Sequence, residues 1–332
     1  MTTDTATGHV LRFDDNRLLQ ELVGPHNSHL ARMDAQLGVT TAFRGNQITV
    51  SGRDAAVELA DRVLRRLWRR LQQGQPLSHR EVDAAVRLVR DGPARSEAGP
   101  QEAIRTRFGA IEAQSAGQLA FIRAMASHSL VFGLGPAGTG KTFLAAAQAV
   151  SLLTNNPARG IRRIVLTRPA VEAGERLGFL PGDLKEKVNP YLRPIYDALE
   201  KLMPADQRDR YLANETIEVA PLAFMRGRTL DNAFVIVDEA QNITIMQMRM
   251  LLTRLGENGV MVVNGDPTQV DLPPGTPSGL LDAVGILEGL EDIAVVRLTD
   301  ADVVRSDLVA RVVRAYERRE AARAAAKPGT AS

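Results

Sequence analysis

Two short strings hold the residues best suited to chemistry. The first reads Gly135-Pro136-Ala137-Gly138-Thr139-Gly140-Lys141-Thr142, of the form G-x-x-x-x-G-K-[ST]. Its glycines let successive backbone N–H groups curl around phosphate oxygens where a Cβ would intrude. Lys141 offers a charge to the β- and γ-phosphates, and Thr142 offers a hydroxyl to Mg2+. The second string, Phe234-Val235-Ile236-Val237-Asp238-Glu239-Ala240-Gln241, is an apolar run ending in two adjacent carboxylates. Asp238 suits Mg2+ opposite Thr142, and Glu239 suits polarisation of an attacking water. Taken singly, the strings also read as a glycine turn before a helix and an exposed strand end. Occurring together, they point to a nucleoside triphosphate, ATP by expectation, bound with Mg2+.

A third string, Asn264-Gly265-Asp266-Pro267-Thr268-Gln269, again follows an apolar run. A Gly-Asp-x-x-Gln motif at this point resembles superfamily 1 helicases, in which the Gln senses the γ-phosphate, and Gln269 would take that role. Phosphoryl transfer also needs positive charge on the equatorial oxygens. The candidates are Arg168, Arg226, Arg228 and Arg305, each of which has ion pairing with a carboxylate as its plainer reading. Gln118, ahead of the first apolar run, stands where helicase Q motifs read adenine, or is a surface glutamine.

These residues need a scaffold, and the spacing supplies one. Strands are expected at Ser129–Leu134, Ile164–Thr167, Ile217–Ala220, Phe234–Val237, Val260–Asn264 and Ile293–Leu298. Helices are expected between or after them at Phe143–Leu153, Leu184–Met203, Met246–Leu255, Leu280–Leu287 and Val303–Tyr316. Short apolar strands alternating with helices imply an α/β fold with a parallel sheet covered on both faces, the RecA-like plan of P-loop NTPases. Ligands then sit at the carboxyl ends of the strands, where the glycine loop lies. The stretch from Arg168 to Asp183, rich in Gly and Pro, is expected to be a shaped loop.

Upstream, residues 10–73 form a separate unit. Strands at Val10–Phe13, Val39–Phe43 and Gln47–Ser51 and helices at Asn16–Leu22, Asn27–Leu37 and Asp54–Leu71 give the order βααββα. This small α+β unit resembles a KH-type RNA-binding domain, whose G-x-x-G loop clamps backbone nucleotides. Here the loop reads Gly24-Pro25-His26-Asn27, with Asn in place of the second Gly. A structural or oligomerising role is the alternative. Residues 74–101 read as a linker carrying a short helix at His79–Val89, residues 102–319 as the ATPase domain, and residues 320–332 as a flexible tail.

Composition narrows the rest. The 332 residues carry a formal net charge of +2, too little to imply nucleic acid without regard to distribution. The basic residues cluster, however, at Arg62, Arg65, Arg66, Arg69 and Arg70 and again over Arg311–Lys327, as solvated helix faces or contact surfaces. The absence of Cys excludes disulfides, thiolate metal sites and Cys nucleophiles, and fits a reducing cytoplasm. No apolar run reaches the length of about 18 residues that a membrane helix needs, so no membrane association is expected.

The strings Gly135–Thr142, Leu166–Asp183, Ala220–Leu230, Val237–Asn242 and Gly265–Pro273, in this order, resemble the PhoH family of cytoplasmic ATPases. The KH-like unit matches the shorter bacterial form; residues 10–73 are too short for a PIN nuclease domain and lack its acidic cluster. The resemblance implies ATP binding and hydrolysis, cytoplasmic location, and a link to RNA metabolism beside an endoribonuclease or ribosome-associated partner. One departure stands out: a family motif that often reads Val-Val-Arg-His is here Val303-Val304-Arg305-Ser306, which keeps the arginine and loses the imidazole. A single core further suggests a ring-like homo-oligomer, with an arginine supplied in trans. A nucleotide switch with little turnover and an RNA-binding scaffold are the competing classes.

Overall fold

The structure, a computed structural model, describes residues 7–91, 103–155, 159–169, 193, 195–304, 312 and 319. The first unit runs β1 (Thr7–Arg12), α1 (Asn16–Val23), α2 (Ser28–Leu37), β2 (Thr40–Arg44), β3 (Gln47–Gly52) and α3 (Asp54–Gln72). This is the expected βααββα order, with element ends shifted by a few residues at most. The strands form an antiparallel sheet in the order β1-β3-β2. In β3 Ile48 and Val50 are buried and their neighbours are not, the period-two signature of a sheet with one covered face. The cover is the apolar stripe of α3, with Val57, Ala60, Val63, Leu64, Leu67 and Leu71 all buried. Asp15 starts α1 by accepting the Arg17 and Leu18 backbone N–H groups.

The stretch 74–101 is more than a linker. Its helix, α4 (His79–Asp91), is longer than expected and buries Val82, Ala85, Val86 and Val89 in the core of the first unit. Arg32 of α2 grips Asp83 of α4 through two bonds of 2.6 Å. The helix therefore completes the first unit's core rather than spacing it from the second.

The sequence pattern also missed a short antiparallel hairpin, β4 (Ala103–Thr106) and β5 (Gly109–Glu112), and the helix α5 (Ala116–Ser127) that follows. Next come β6 (Leu130–Leu134), α6 (Lys141–Asn155), β7 (Arg163–Arg168), β8 (Ile217–Pro221), β9 (Ala233–Val237), β10 (Val260–Gly265) and β11 (Ile293–Arg297). The six strands form one sheet in the order β11-β6-β10-β9-β7-β8, every pair parallel. Apolar residues fill both faces. Val131, Ile164, Leu166, Phe234, Ile236 and Val262 point to the α6 side, and Phe132, Val165, Val235, Val237, Met261 and Val263 to the other. That is why these strands read as continuous apolar runs rather than alternating ones.

Helices at Ile245–Leu252 and Gly279–Leu287 stand close to the expected spans, and the helix at Ala205–Ala213 was not anticipated. Of the helix expected over Leu184–Met203, the described part is helical at 195–200. The shaped loop reaching Asp183, almost all of Val303–Tyr316 and the 320–332 tail lie outside the described residues.

If α4 belongs to the first unit, a fragment of residues 7–91 should unfold cooperatively in urea. A fragment of residues 7–73, which leaves the partners of Val82, Val86 and Val89 bare, should show no cooperative transition.

Candidate phosphate-binding site

β10 lies between β6 and β9, so the glycine loop after β6 and the acidic pair after β9 emerge at the same carboxyl edge with one strand between them. The loop depends on its glycines. Gly135, Gly138 and Gly140 have φ of 146°, 84° and 83°, and a Cβ on Gly135 would fall 2.4 Å from the Leu298 carbonyl oxygen. Gly135 N–H donates to Gly265 O at 3.1 Å, tying the loop to the end of β10. The helix α6 begins at Lys141, so its unpaired first-turn amides face the loop.

Across the gap, Thr142 Oγ1 donates to Asp238 Oδ1 at 2.7 Å. A hydroxyl and a carboxylate in contact form the oxygen pair that Mg2+ accepts alongside phosphate oxygens and water. Among the described residues no cluster of three or more His, Cys, Asp or Glu could hold a metal, so the phosphates would have to complete the coordination. Burial pushes the Asp238 carboxyl above the usual carboxylate range and neighbouring Glu239 adds to this, while the Thr142 bond and Arg168 pull the other way. Burial likewise lowers the Lys141 ammonium, against the pull of Asp266, Asp238 and Glu239. The Lys141 amine donates to Gly135 O at 2.6 Å and Pro136 O at 2.9 Å, within the loop whose phosphates it would meet.

Glu239 sits in the left-handed region at φ 53° and ψ 38°, an uncommon conformation for a residue with a Cβ. Two neighbours fix its carboxylate. Gln241 Nε2 donates to Oε2 at 2.5 Å, and Arg168 Nη2 lies 3.6 Å from Oε1. Gln241 then reaches the third string, its Oε1 accepting Asp266 N–H at 3.0 Å. Gln269 Nε2 donates to Asp266 Oδ2 at 2.6 Å, and Thr268 binds Oδ1 through its N–H and its hydroxyl. Burial raises the Asp266 carboxyl, but the Thr268 and Gln269 bonds outweigh it and hold it below its ordinary value. Gln241 stood inside the second string without a role; it is the bridge between the acidic pair and the Gly-Asp-x-x-Gln turn. Asn264, fully buried at the end of β10, has neither side-chain polar atom bonded among the described residues.

Gln118 is not the surface glutamine of its plainer reading. It is buried, donates through Nε2 to Thr139 O at 2.9 Å and accepts Gln114 N–H at 2.8 Å through Oε1. Both ends of the carboxamide serve backbone, so in this conformation Gln118 braces the glycine loop. Of the candidate arginines, Arg228 is engaged by Glu218 through two bonds of 2.6 Å, Arg226 is exposed, and Arg305 lies outside the described residues. The residue before it, Val304, donates its N–H to Gly138 O at 3.1 Å, so the chain arrives at the loop. Asp302, another residue that no sequence pattern marked, accepts the N–H of Gly117 at 3.1 Å and of Thr299 at 2.7 Å. It thereby ties the segment after β11 to the start of α5.

A phosphate-cradling loop, a hydroxyl–carboxylate pair and a parallel α/β sheet define a P-loop nucleotide-binding protein of the NTPase class. Comparison with known proteins narrows this. A family model described as "PhoH-like protein" matches residues 110–317. A PhoH-like protein of Bacillus subtilis is 47% identical over 300 residues, covering 90% of this chain and 93% of its own. A PhoH-like protein of Mycobacterium tuberculosis is 46% identical over 307 residues, with 91% and 86% covered. Protein PhoH of Escherichia coli K12 is 41% identical over 281 residues, with 84% and 77% covered. The chain belongs to the PhoH-like family. Among the described residues no helix is long and apolar enough to cross a membrane.

The raised Asp238 carboxyl has a measurable sign. Its stabilising contribution is complete below the unfolded pKa of about 3.9 and is lost as pH rises through the higher folded value. As the pH rises and the carboxyl ionises, its burial therefore costs stability. Asp238→Asn, which still accepts from Thr142, should raise the thermal midpoint at pH 7. The gain should shrink as the pH falls toward about 4, and the extra protection that ATP with Mg2+ gives the parent should disappear.

Proposed function

We propose that the protein is a Mg2+-dependent ATPase whose turnover is coupled to RNA in the cytoplasm. The observation that carries the reading is the 2.7 Å contact of Thr142 with Asp238, beside a Glu239 carboxylate fixed by Gln241 and Arg168. In this reading the loop amides and Lys141 bind the β- and γ-phosphates, and Thr142 and Asp238 hold Mg2+. The ion, when bound, neutralises charge on the phosphate oxygens. Glu239 takes a proton from the attacking water as oxygen approaches the γ-phosphorus, and the ADP oxygen departs opposite. Gln269, one bond from Asp266 and two from Gln241, reports the γ-phosphate to the acidic pair. Arg168 lies close enough to stabilise charge from within the chain. The exposed Arg226 suits an arginine given to a neighbouring subunit, which supports a homo-oligomer.

The RNA half of the proposal rests on the first unit. Its element order resembles that of a KH-type domain, with a turn between α1 and α2 where that family carries its G-x-x-G loop. Gly24 has φ 76°, and its missing Cβ leaves room for the His29 ring, whose nearest atom would lie 2.6 Å away. Asn27, in the place of the second glycine, adopts φ 61°, as Asn readily does.

Steady-state phosphate release with and without cellular RNA tests the reading. Lys141→Ala should weaken ATP binding. Glu239→Gln should keep binding and lower turnover by about 10²–10⁴-fold, the scale of a lost general base. Bound ATP without turnover in the parent would replace the ATPase with a nucleotide switch. Turnover indifferent to RNA would remove the coupling.

A further inference from the structure

The hairpin and α4, neither given a function above, enclose a cleft of about 1070 Å3 between the first unit and the ATPase core. Its walls are α3 and α4 on one side and the β4–β5 hairpin on the other, with Phe143 of α6 among its lining residues. Five arginines line it: Arg66, Arg69, Arg70, Arg80 and Arg105. Of the two lining carboxylates, one answers one of these arginines. Glu112 is paired with Arg70 at 2.7 Å, and Glu81 is turned to Ser78 at the start of α4. Arg66 and Arg69 of α3 and Gln73, its C-cap, fall at three- and four-residue spacing and span about 10 Å along the helix. Arg69 and Arg105 are exposed.

At the tip of the hairpin, between the lining residues Thr106 and Gly109, stands Phe108, 60% exposed. An aromatic ring held out in water at the rim of an arginine-lined groove has an ordinary use. The groove tracks phosphates, and the ring stacks an unpaired base. A duplex offers its phosphates but no free base face, so the ring favours a single strand.

We propose that this cleft binds single-stranded RNA, with phosphates along Arg69 and Arg105 and a base stacked on Phe108. The proposal rests on the RNA-coupled reading and gives it a location apart from the Gly24–Asn27 turn. It also gives the coupling a short path. Phe143 directly follows Thr142, and Asn155 at the other end of α6 donates to Arg105 O at 2.8 Å. A strand in the cleft thus touches the helix that carries the phosphate site, at its start and through the hairpin at its end.

The test is fluorescence anisotropy of a fluorescein-labelled twelve-residue oligouridylate with the full chain at 50–200 mM salt. Parent, Phe108→Ala and the double variant Arg69→Ala/Arg105→Ala are compared, with thermal midpoints confirming that each folds. Phe108→Ala should weaken binding about 5- to 150-fold, the range for one lost base stack, and leave the salt slope unchanged. The double variant should reduce the slope of log affinity against log salt by about 1.4, or 0.7 per lost phosphate contact on a single strand. A folded Phe108→Ala or double variant that binds like the parent, or a parent that prefers the matched duplex, overturns the proposal. RNA stimulation of ATP turnover separates the two failures. Stimulation that is equal in parent and variants sinks the cleft and leaves the coupling standing; a parent that neither binds nor responds to RNA sinks both.

Discussion

The bond between the Thr142 hydroxyl and the Asp238 carboxylate is the point to which the rest of the architecture is adjusted. It joins the first turn of α6 to the end of β9, two strands away from the one that feeds α6. For the two groups to meet, β10 must pass between β6 and β9, and all three strands must run parallel so that their carboxyl ends share an edge. The apolar faces of the sheet fix that register. A one-residue slip in β9 would send Asp238 to the far face and bring a valine or glutamate in its place. The packing of Phe234 and Ile236 against one layer and of Val235 and Val237 against the other is what aims the carboxylate.

The same edge carries a cost. Asp238 sits where burial disfavours its charge, Lys141 is held where burial disfavours its ammonium, and Glu239 occupies a strained backbone conformation. None of these helps the chain fold. Each is held by surroundings that are over-determined: the Gln241 bridge, the Asp266 turn with its three hydrogen bonds from Thr268 and Gln269, and the Gln118 brace under the loop. A site that binds a multiply charged ligand keeps such groups because the ligand, not the protein, compensates them.

The parts legible in the sequence were those written in local pattern. The glycine octet, the apolar run ending in Asp238-Glu239 and the Gly265-Asp266 turn each encode their geometry in consecutive residues, and the structure brings them together. The helical stripe of α3 was equally plain. What escaped was set by partners distant in sequence. The β4–β5 hairpin has four-residue strands, too short for a periodic signal, and exists because the core of α5 and α6 packs against it. α4 looked like a helix in a linker because nothing in its own residues says that Arg32 will hold Asp83. Gln118 and Asp302 have ordinary neighbours in sequence, and their jobs come from Thr139 and Gly117.

The contact between Val304 N–H and Gly138 O joins main chain to main chain. Substitution at position 304 leaves both atoms in place, and of the twenty residues only proline there would delete the donor. The link between the glycine loop and the segment after β11 is therefore indifferent to the side chain at 304, while its acceptor is held to glycine by a φ of 84°. The donor is inherited with the path of the backbone, and the side chain at 304 is left open to be shaped by other demands.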